Sequence, residues 1–212
     1  MSGRNALLLA AAVSALAGCT VPRMGPAAAV PAMGVTQWRA IATRDDRRRL
    51  RDWRTAWVEA LDEARPKHER EIAAEGRLLD PDAALPDPAP PAGDYRCRTI
   101  KLGSKGGGAL DYVVHPAFHC RIEAQGSGSL AFAKRDGVQR PVGRIFPENS
   151  RRMIFLGTLQ LGDERGTLRY SHDEARNLAA IVERVGEGRW RMVFPYPHYE
   201  STIDVVELVP GG

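Results

Sequence analysis

The chain has 212 residues, with 30 Lys and Arg against 26 Asp and Glu, a formal charge of +4, 43% apolar residues and 26% charged ones. These are the proportions of an ordinary globular protein. Acidic residues interspersed with the basic ones exclude the concentrated positive face that nucleic-acid binding requires, so no nucleic-acid partner is expected.

The first stretch, 1–18, reads as a bacterial secretory signal. Arg4 precedes an apolar run from Ala6 to Ala17, too short to span a membrane, and small residues lead to a cysteine at the expected point of cleavage. Leu16-Ala17-Gly18-Cys19 resembles the lipobox of bacterial lipoproteins, which implies acylation of the Cys19 sulfur and cleavage just before it. Several acyl chains would anchor the protein firmly, at roughly 0.8 kcal/mol per buried CH₂. Thr20 after the cysteine points to outer-membrane sorting by a rule that varies between bacteria, so the expected location is the cell envelope, facing the periplasm. Nothing after Val21 is apolar for long enough to cross a bilayer, which leaves acylated Cys19 as the expected membrane partner.

Residues 19–35 are rich in Ala, Pro and Gly and read as a flexible tether. Residues 36–79 read as helical. Thr43 is placed to cap a helix with Asp45 and Asp46 in its first turn, and Leu50, Trp53, Trp57, Leu61 and Ala64 form one apolar stripe. Pro66 ends or restarts that helix, which then runs on in a polar register to Gly76. Arg44, Arg47, Arg48, Arg51 and Arg54 share a flank beside the stripe. On a tethered protein that flank would lie near anionic headgroups, each basic residue adding about 1 kcal/mol close to the surface. A solvated face with Asp45–Arg49 and Arg48–Asp52 pairs is the competing reading.

Residues 80–93 hold Pro81, Pro86, Pro88, Pro90 and Pro91, and read as an extended connector and domain boundary. Residues 94–210 then change character: short runs of β-branched and aromatic residues alternate with Gly, Asp and Asn. Phe118, Cys120 and Ile122 alternate with His119, Arg121 and Glu123, and Trp190, Met192 and Phe194 alternate with Arg189 and Arg191, as in half-buried strands. Further strands are expected at 130–134, 142–146, 153–161, 167–170, 178–185 and 202–209. The hairpin turns fall at 126–128, 135–137 and 186–188. The fold class is therefore α+β: a helical segment followed by an antiparallel β domain. A small up-and-down, lipocalin-like barrel is preferred over a sandwich, with the helices over one end or along one face.

Asp46-Arg47-Arg48-Arg49-Leu50-Arg51-Asp52-Trp53-Arg54, Tyr95-Arg96-Cys97-Arg98, Phe155-Leu156-Gly157-Thr158-Leu159 and Ile203-Asp204-Val205-Val206-Glu207-Leu208 together resemble a bacterial family catalogued only as a domain of unknown function. The likeness runs from about Trp38 to Pro210. It implies a secreted or lipid-anchored envelope protein and brings no established catalytic residues.

With Cys19 assigned to lipid, Cys97 and Cys120 remain, and an even pair in the oxidising periplasm reads as a disulfide of about 3 kcal/mol. No CxxC spacing or cluster of further ligands supports a metal-binding or redox-active pair instead. His115 and His119 lie about 13 Å apart if they share a strand face, too far for one metal ion, and His172 and His198 stand in turn-like segments. No metal site and no cofactor is expected. Asp163-Glu164 and Asp173-Glu174 flank the 167–170 stretch and would meet across a hairpin, the basis for a hydrolase reading. Lys105 with Gly106-Gly107-Gly108 lacks the residues of a phosphate loop. Adjacent strand residues face opposite sides, so His198, Glu200 and Ser201 do not form a triad simply. The leading functional reading is a non-catalytic envelope protein whose β domain holds an apolar small molecule or plays a structural part. A second reading is an interaction module, an inhibitor or assembly factor of envelope enzymes, acting through the loop 101–109; a third is the carboxylate hydrolase.

Overall fold

The computed structural model describes residues 37–106, 111–126, 128–162, 164 and 166–211. The expected signal, Cys19 and the expected tether lie outside these residues. Within them, helices, connector and β domain belong to one compact unit.

Three helices open the unit: α1 Gln37–Ile41, α2 Arg44–Arg51 and α3 Trp53–Glu75, with a 3₁₀ turn at Gly76–Leu79. Thr43 caps α2 as its sequence implies, its Oγ1 accepting from the Asp46 amide at 3.1 Å. The single long stripe is broken by Asp52, which ends α2 and starts α3. Pro66 does not stop α3. The helix bends through His68, whose φ of −129° departs from helical geometry, because a mid-helix proline has no N–H and crowds the carbonyl four residues back.

Nine antiparallel strands follow: β1 Gly93–Ser104, β2 Tyr112–Val114, β3 Phe118–Ala124, β4 Leu130–Lys134, β5 Gln139–Asn149, β6 Arg152–Leu161, β7 Asn177–Gly186, β8 Arg189–Pro195 and β9 Ser201–Pro210. β1 also pairs with β9, so eight strands close into a barrel and β2 is an extra strand against the upper part of β1. The expected barrel is present. The strand expected at 167–170 is not: β6 pairs directly with β7, and 167–170 lies in their connection, where the Tyr170 hydroxyl donates to Asp46 instead.

Cross-strand partners share a face, so the register sorts the wall. Tyr95, Cys97, Thr99 and Lys101 of β1 stand with Leu208, Val206 and Asp204 of β9 and with Trp190, Met192 and Phe194 of β8, all on the inside. The closed half is filled by Tyr95, Ile122, Ile145, Met153, Trp190 and Leu208 under a layer that includes Cys97, Cys120, Phe132, Phe155 and Met192. Gly143 and Gly157 face each other on β5 and β6, where any Cβ would lie under 3 Å from backbone and from the Phe155 ring. Their bare backbones let that ring lie flat on the wall.

The outer face carries a second core. Ala56, Trp57, Ala60 and Leu61 of α3 pack on Ile100, Leu102, Ile203 and Val205, so the helices lie along the side of the barrel. Each large apolar side chain buried there contributes about 1.5–3 kcal/mol. Gly103 takes φ +66° just where its chain passes Thr202 and the Ala60 backbone, which leaves no room for a side chain. The proline-rich stretch is not free either. Leu85 N–H donates to Arg184 at 2.8 Å, Asp87 N–H to Ser150 at 3.0 Å, and Ala83 and Ala84 are buried.

Arg191 fastens this stretch to the barrel. Its guanidinium and the Glu183 carboxylate are both fully buried and 2.6 Å apart, and it also donates to the carbonyls of Leu78 at 2.8 Å and Asp80 at 2.7 Å.

Candidate functional site

The strands bring the β4–β5 turn, the β6–β7 connection and the 196–200 loop to one end of the barrel, and there the lumen is open. The cavity measures about 940 Å³, inside the range of small-molecule sites. Its deep wall is apolar, from Phe118, Phe132, Leu178, Phe194 and Val206, and its mouth is polar, from Lys101, Lys134, Asp136, Arg176, His198 and Glu200. The loop over the mouth holds Tyr196 at φ +47° and Glu200 at φ +64°, a conformation that bulky side chains seldom adopt. Bonds from the Tyr196 hydroxyl to Glu59 at 2.7 Å and from its N–H to Thr202 at 2.9 Å hold it in place.

Most of the mouth's charges are paired. Lys101 lies 3.3 Å from both Asp204 and Glu200. Burial raises the Asp204 carboxyl above its ordinary value, with Lys101 and the Ser201 hydroxyl acting against the rise. Arg176 lies 2.6 Å from Glu164 and 3.2 Å from Asp173. Asp136 is 2.9 Å from His119; burial acts to raise its carboxyl, but the His119 bonds outweigh that and hold it below the usual value. Lys134 differs. Its Nζ sits 4.2 Å from the Phe118 ring centroid, and it makes no ion pair or hydrogen bond among the described residues. Burial lowers its affinity for the proton.

Lys101 was expected in an exposed loop, 101–109. In fact β1 runs to Ser104, because Ile100 and Leu102 pack under α3 and turn Lys101 inward; Gly107 to Ala109 lie outside the described residues. Among the described residues the clustered carboxylates do not meet as an acid–base pair. Asp163 lies outside the described residues, Glu174 and His172 are exposed, and Glu164 and Asp173 share Arg176. Bonds from the Leu161 amide and Arg176 hold the Glu164 carboxyl below the usual range. Ser201 donates to Asp204 rather than facing His198, and burial followed by the charge of Arg49 lowers the His198 value. His115 stands at the rim while His119 points outward to Asp136. Among the described residues no cluster of three or more His, Cys, Asp or Glu is placed to hold a metal ion.

Cys97 and Cys120 are both buried in the lumen floor, as free thiols. They stand diagonally across β1 and β3, since Cys97 faces Phe118 and Tyr95 faces Cys120. Burial first, and a hydrogen bond with Cys97 second, push the Cys120 thiol far up.

Of the arginine flank, Arg44, Arg48, Arg51 and Arg54 are exposed. Arg48 pairs with Asp45 rather than Asp52, and Arg54 with Asp82 at 2.6 Å. Arg47 turns back to the carbonyls of Arg39 and Ala42 and closes the end of α1. Arg49, read from sequence only as a partner for Asp45, is buried. It keeps the Asp45 pair at 3.5 Å, pairs also with Asp46, and reaches the Asn177 carbonyl at 3.3 Å.

Sequence reasoning passed over Lys134, although Leu130, Phe132 and Lys134 alternate on one face and Phe132 is a core residue. It also passed over fully buried Asp111, which Lys67 meets at 2.5 Å and His68 at 3.0 Å. No periodic signal marks that cluster.

A family model described as "Domain of unknown function (DUF4893)" matches residues 38–208, and the chain belongs to that family. No curated protein and no solved structure matches it.

Proposed function

We propose that this member of the DUF4893 family is a non-catalytic, lipid-anchored protein of the bacterial cell envelope whose barrel holds a small molecule. The observation that carries the reading is the open half of the lumen. An eight-stranded barrel is just wide enough for its own side chains to fill it or for one small ligand, and here the filled half stops at Phe132 and Phe155 while about 940 Å³ above remains. An apolar wall beneath a polar mouth is the arrangement of a ligand pocket. The envelope address rests on the lipobox-like Leu16-Ala17-Gly18-Cys19, with acylated Cys19 as the membrane anchor and outer-membrane retention suggested by Thr20. The exposed arginines of α2 suit a surface held close to anionic headgroups. In that oxidising compartment the neighbouring thiols of Cys97 and Cys120 would close a disulfide.

The test is native mass spectrometry of a secreted Cys19→Ser protein. The reading expects a retained small-molecule mass that is lost when Leu178→Trp fills the cavity. A bare mass in both proteins would remove the ligand reading and leave an envelope interaction module as the better account. Lipid labelling of the wild-type chain, absent from the Cys19→Ser variant, tests the anchor.

A further inference from the structure

We infer that the barrel takes a single-chain amphiphile with an anionic head, whose head pairs with Lys134 while its chain runs down the apolar wall. The inference rests on the reading of the lumen as a ligand site and names the class of ligand.

The register places Lys134 inside: it stands opposite Cys120, a lumen residue, and two positions beyond Phe132 on the same strand. The other lining cations are already engaged, Lys101 by Asp204 and Glu200 and Arg176 by Glu164 and Asp173. The lining carboxylates are engaged as well: Asp136 faces His119, Asp173 and Glu200 take part in the pairs just named, and Asp204 also accepts from Ser201. Lys134 makes no ion pair or hydrogen bond among the described residues: its Nζ sits 4.2 Å from the Phe118 ring, and the carboxylate whose charge acts on it at longer range, Asp136, is bonded to His119. A ring face attracts a cation but is no substitute for a counter-ion where water is partly excluded. A carboxylate or phosphate oxygen entering the mouth would supply that counter-ion. Below it, Phe132, Leu178, Phe194 and Val206 offer an apolar channel wall to an alkyl chain. A neutral ligand would leave Lys134 as it is, and a cationic one would be repelled there.

The experiment compares dodecanoate, dodecyl phosphate, dodecanol and dodecyltrimethylammonium by titration calorimetry, below their micelle concentrations, on the secreted Cys19→Ser protein. The two anions are expected to bind about tenfold or more tighter than dodecanol, the usual effect of a charge-assisted bond. Which of the two binds better distinguishes a carboxylate from a phosphate head. Lys134→Met should abolish that preference and keep dodecanol binding, while Lys134→Arg should retain the preference. Retained dodecanol binding also shows that the methionine variant is folded. Equal binding of dodecanol and the anions, or tightest binding of the ammonium, would overturn the assignment and leave the barrel reading intact. No binding by any of the four would overturn both.

Discussion

Replacing Arg191 with methionine should destabilise the fold by about 4 kcal/mol, within the range for breaking one side of a buried ion pair. Arg191 and Glu183 have no exposed side-chain surface, and the guanidinium gives Glu183 two bonds, at 2.9 and 2.6 Å. The carbonyls of Leu78 and Asp80 also lose their donor, and each buried group left unpaired costs about 1–3 kcal/mol. These losses overlap, because methionine keeps much of the packing and Glu183 retains Arg152 at 2.7 Å. Glu183→Gln should also destabilise, because it leaves the buried Arg191 guanidinium without its carboxylate. A double variant, Arg191→Met with Glu183→Met, should recover about 2 kcal/mol of the summed single effects, since the two residues share one network. Urea unfolding followed by circular dichroism supplies the measurement, with the m-value reporting whether the exposed surface has changed. A loss below about 1 kcal/mol at unchanged m would refute the reasoning: the connector would then be held by its backbone hydrogen bonds and apolar contacts without Arg191.

Acid should unfold the protein in part through Asp111. A hydrogen bond from Lys67, the largest influence, holds its carboxyl below the ordinary 3.8. The native state therefore binds fewer protons there than the unfolded chain, and the stability present above pH 3.8 is lost as the pH falls through the native value. Asp111→Asn should flatten that acid limb in urea midpoints taken across the range. Asp204 has the opposite sign: burial raises its carboxyl, so its contribution is present below pH 3.8 and fades as the pH rises through the raised value. Gly157→Ala should destabilise by about 2 kcal/mol or more, the range for overpacking, because the new Cβ would stand 2.3 Å from the Val142 carbonyl and 2.4 Å from the Phe155 ring; an unchanged thermal midpoint would contradict this. Oxidised protein from the periplasm should be two hydrogens lighter than the dithiol, and Cys97→Ser should cost about 3 kcal/mol relative to that oxidised form. Equal midpoints for oxidised wild type and variant would speak against a stabilising bridge. Cavity filling by Leu178→Trp should leave stability nearly unchanged, because the site already has space, while displacing any bound molecule.

Much of the fold was legible because it rests on local and periodic signals. Alternation along 118–123 and 190–194, with glycines at 137 and 188 where φ is positive, fixes strands and tight turns wherever the chain folds. Thr43 and the asparate pair after it start α2 through contacts within four residues. Barrel closure and the absence of a 167–170 strand were different in kind. Both depend on which strands meet, and Thr167 to Tyr170 carries β-like residues that lose to the direct pairing of β6 with β7 and to the bond between Tyr170 and Asp46.

The site was less legible for the same reason. Alternation tells which residues share a face of a strand but not which face looks into the lumen and which meets a helix. Arg191, on the polar side of its strand, lies fully buried because the connector and the end of α3 cover it, whereas Lys101 and Lys134 line the cavity. The α+β order, the strand periods, and the caps and turns were readable from the chain alone, since each depends on neighbours a few residues apart. The closure of β1 on β9, the open half of the lumen, and the place of Lys134 there with no ion pair among the described residues are set by residues far apart in the chain, which meet only when the barrel closes.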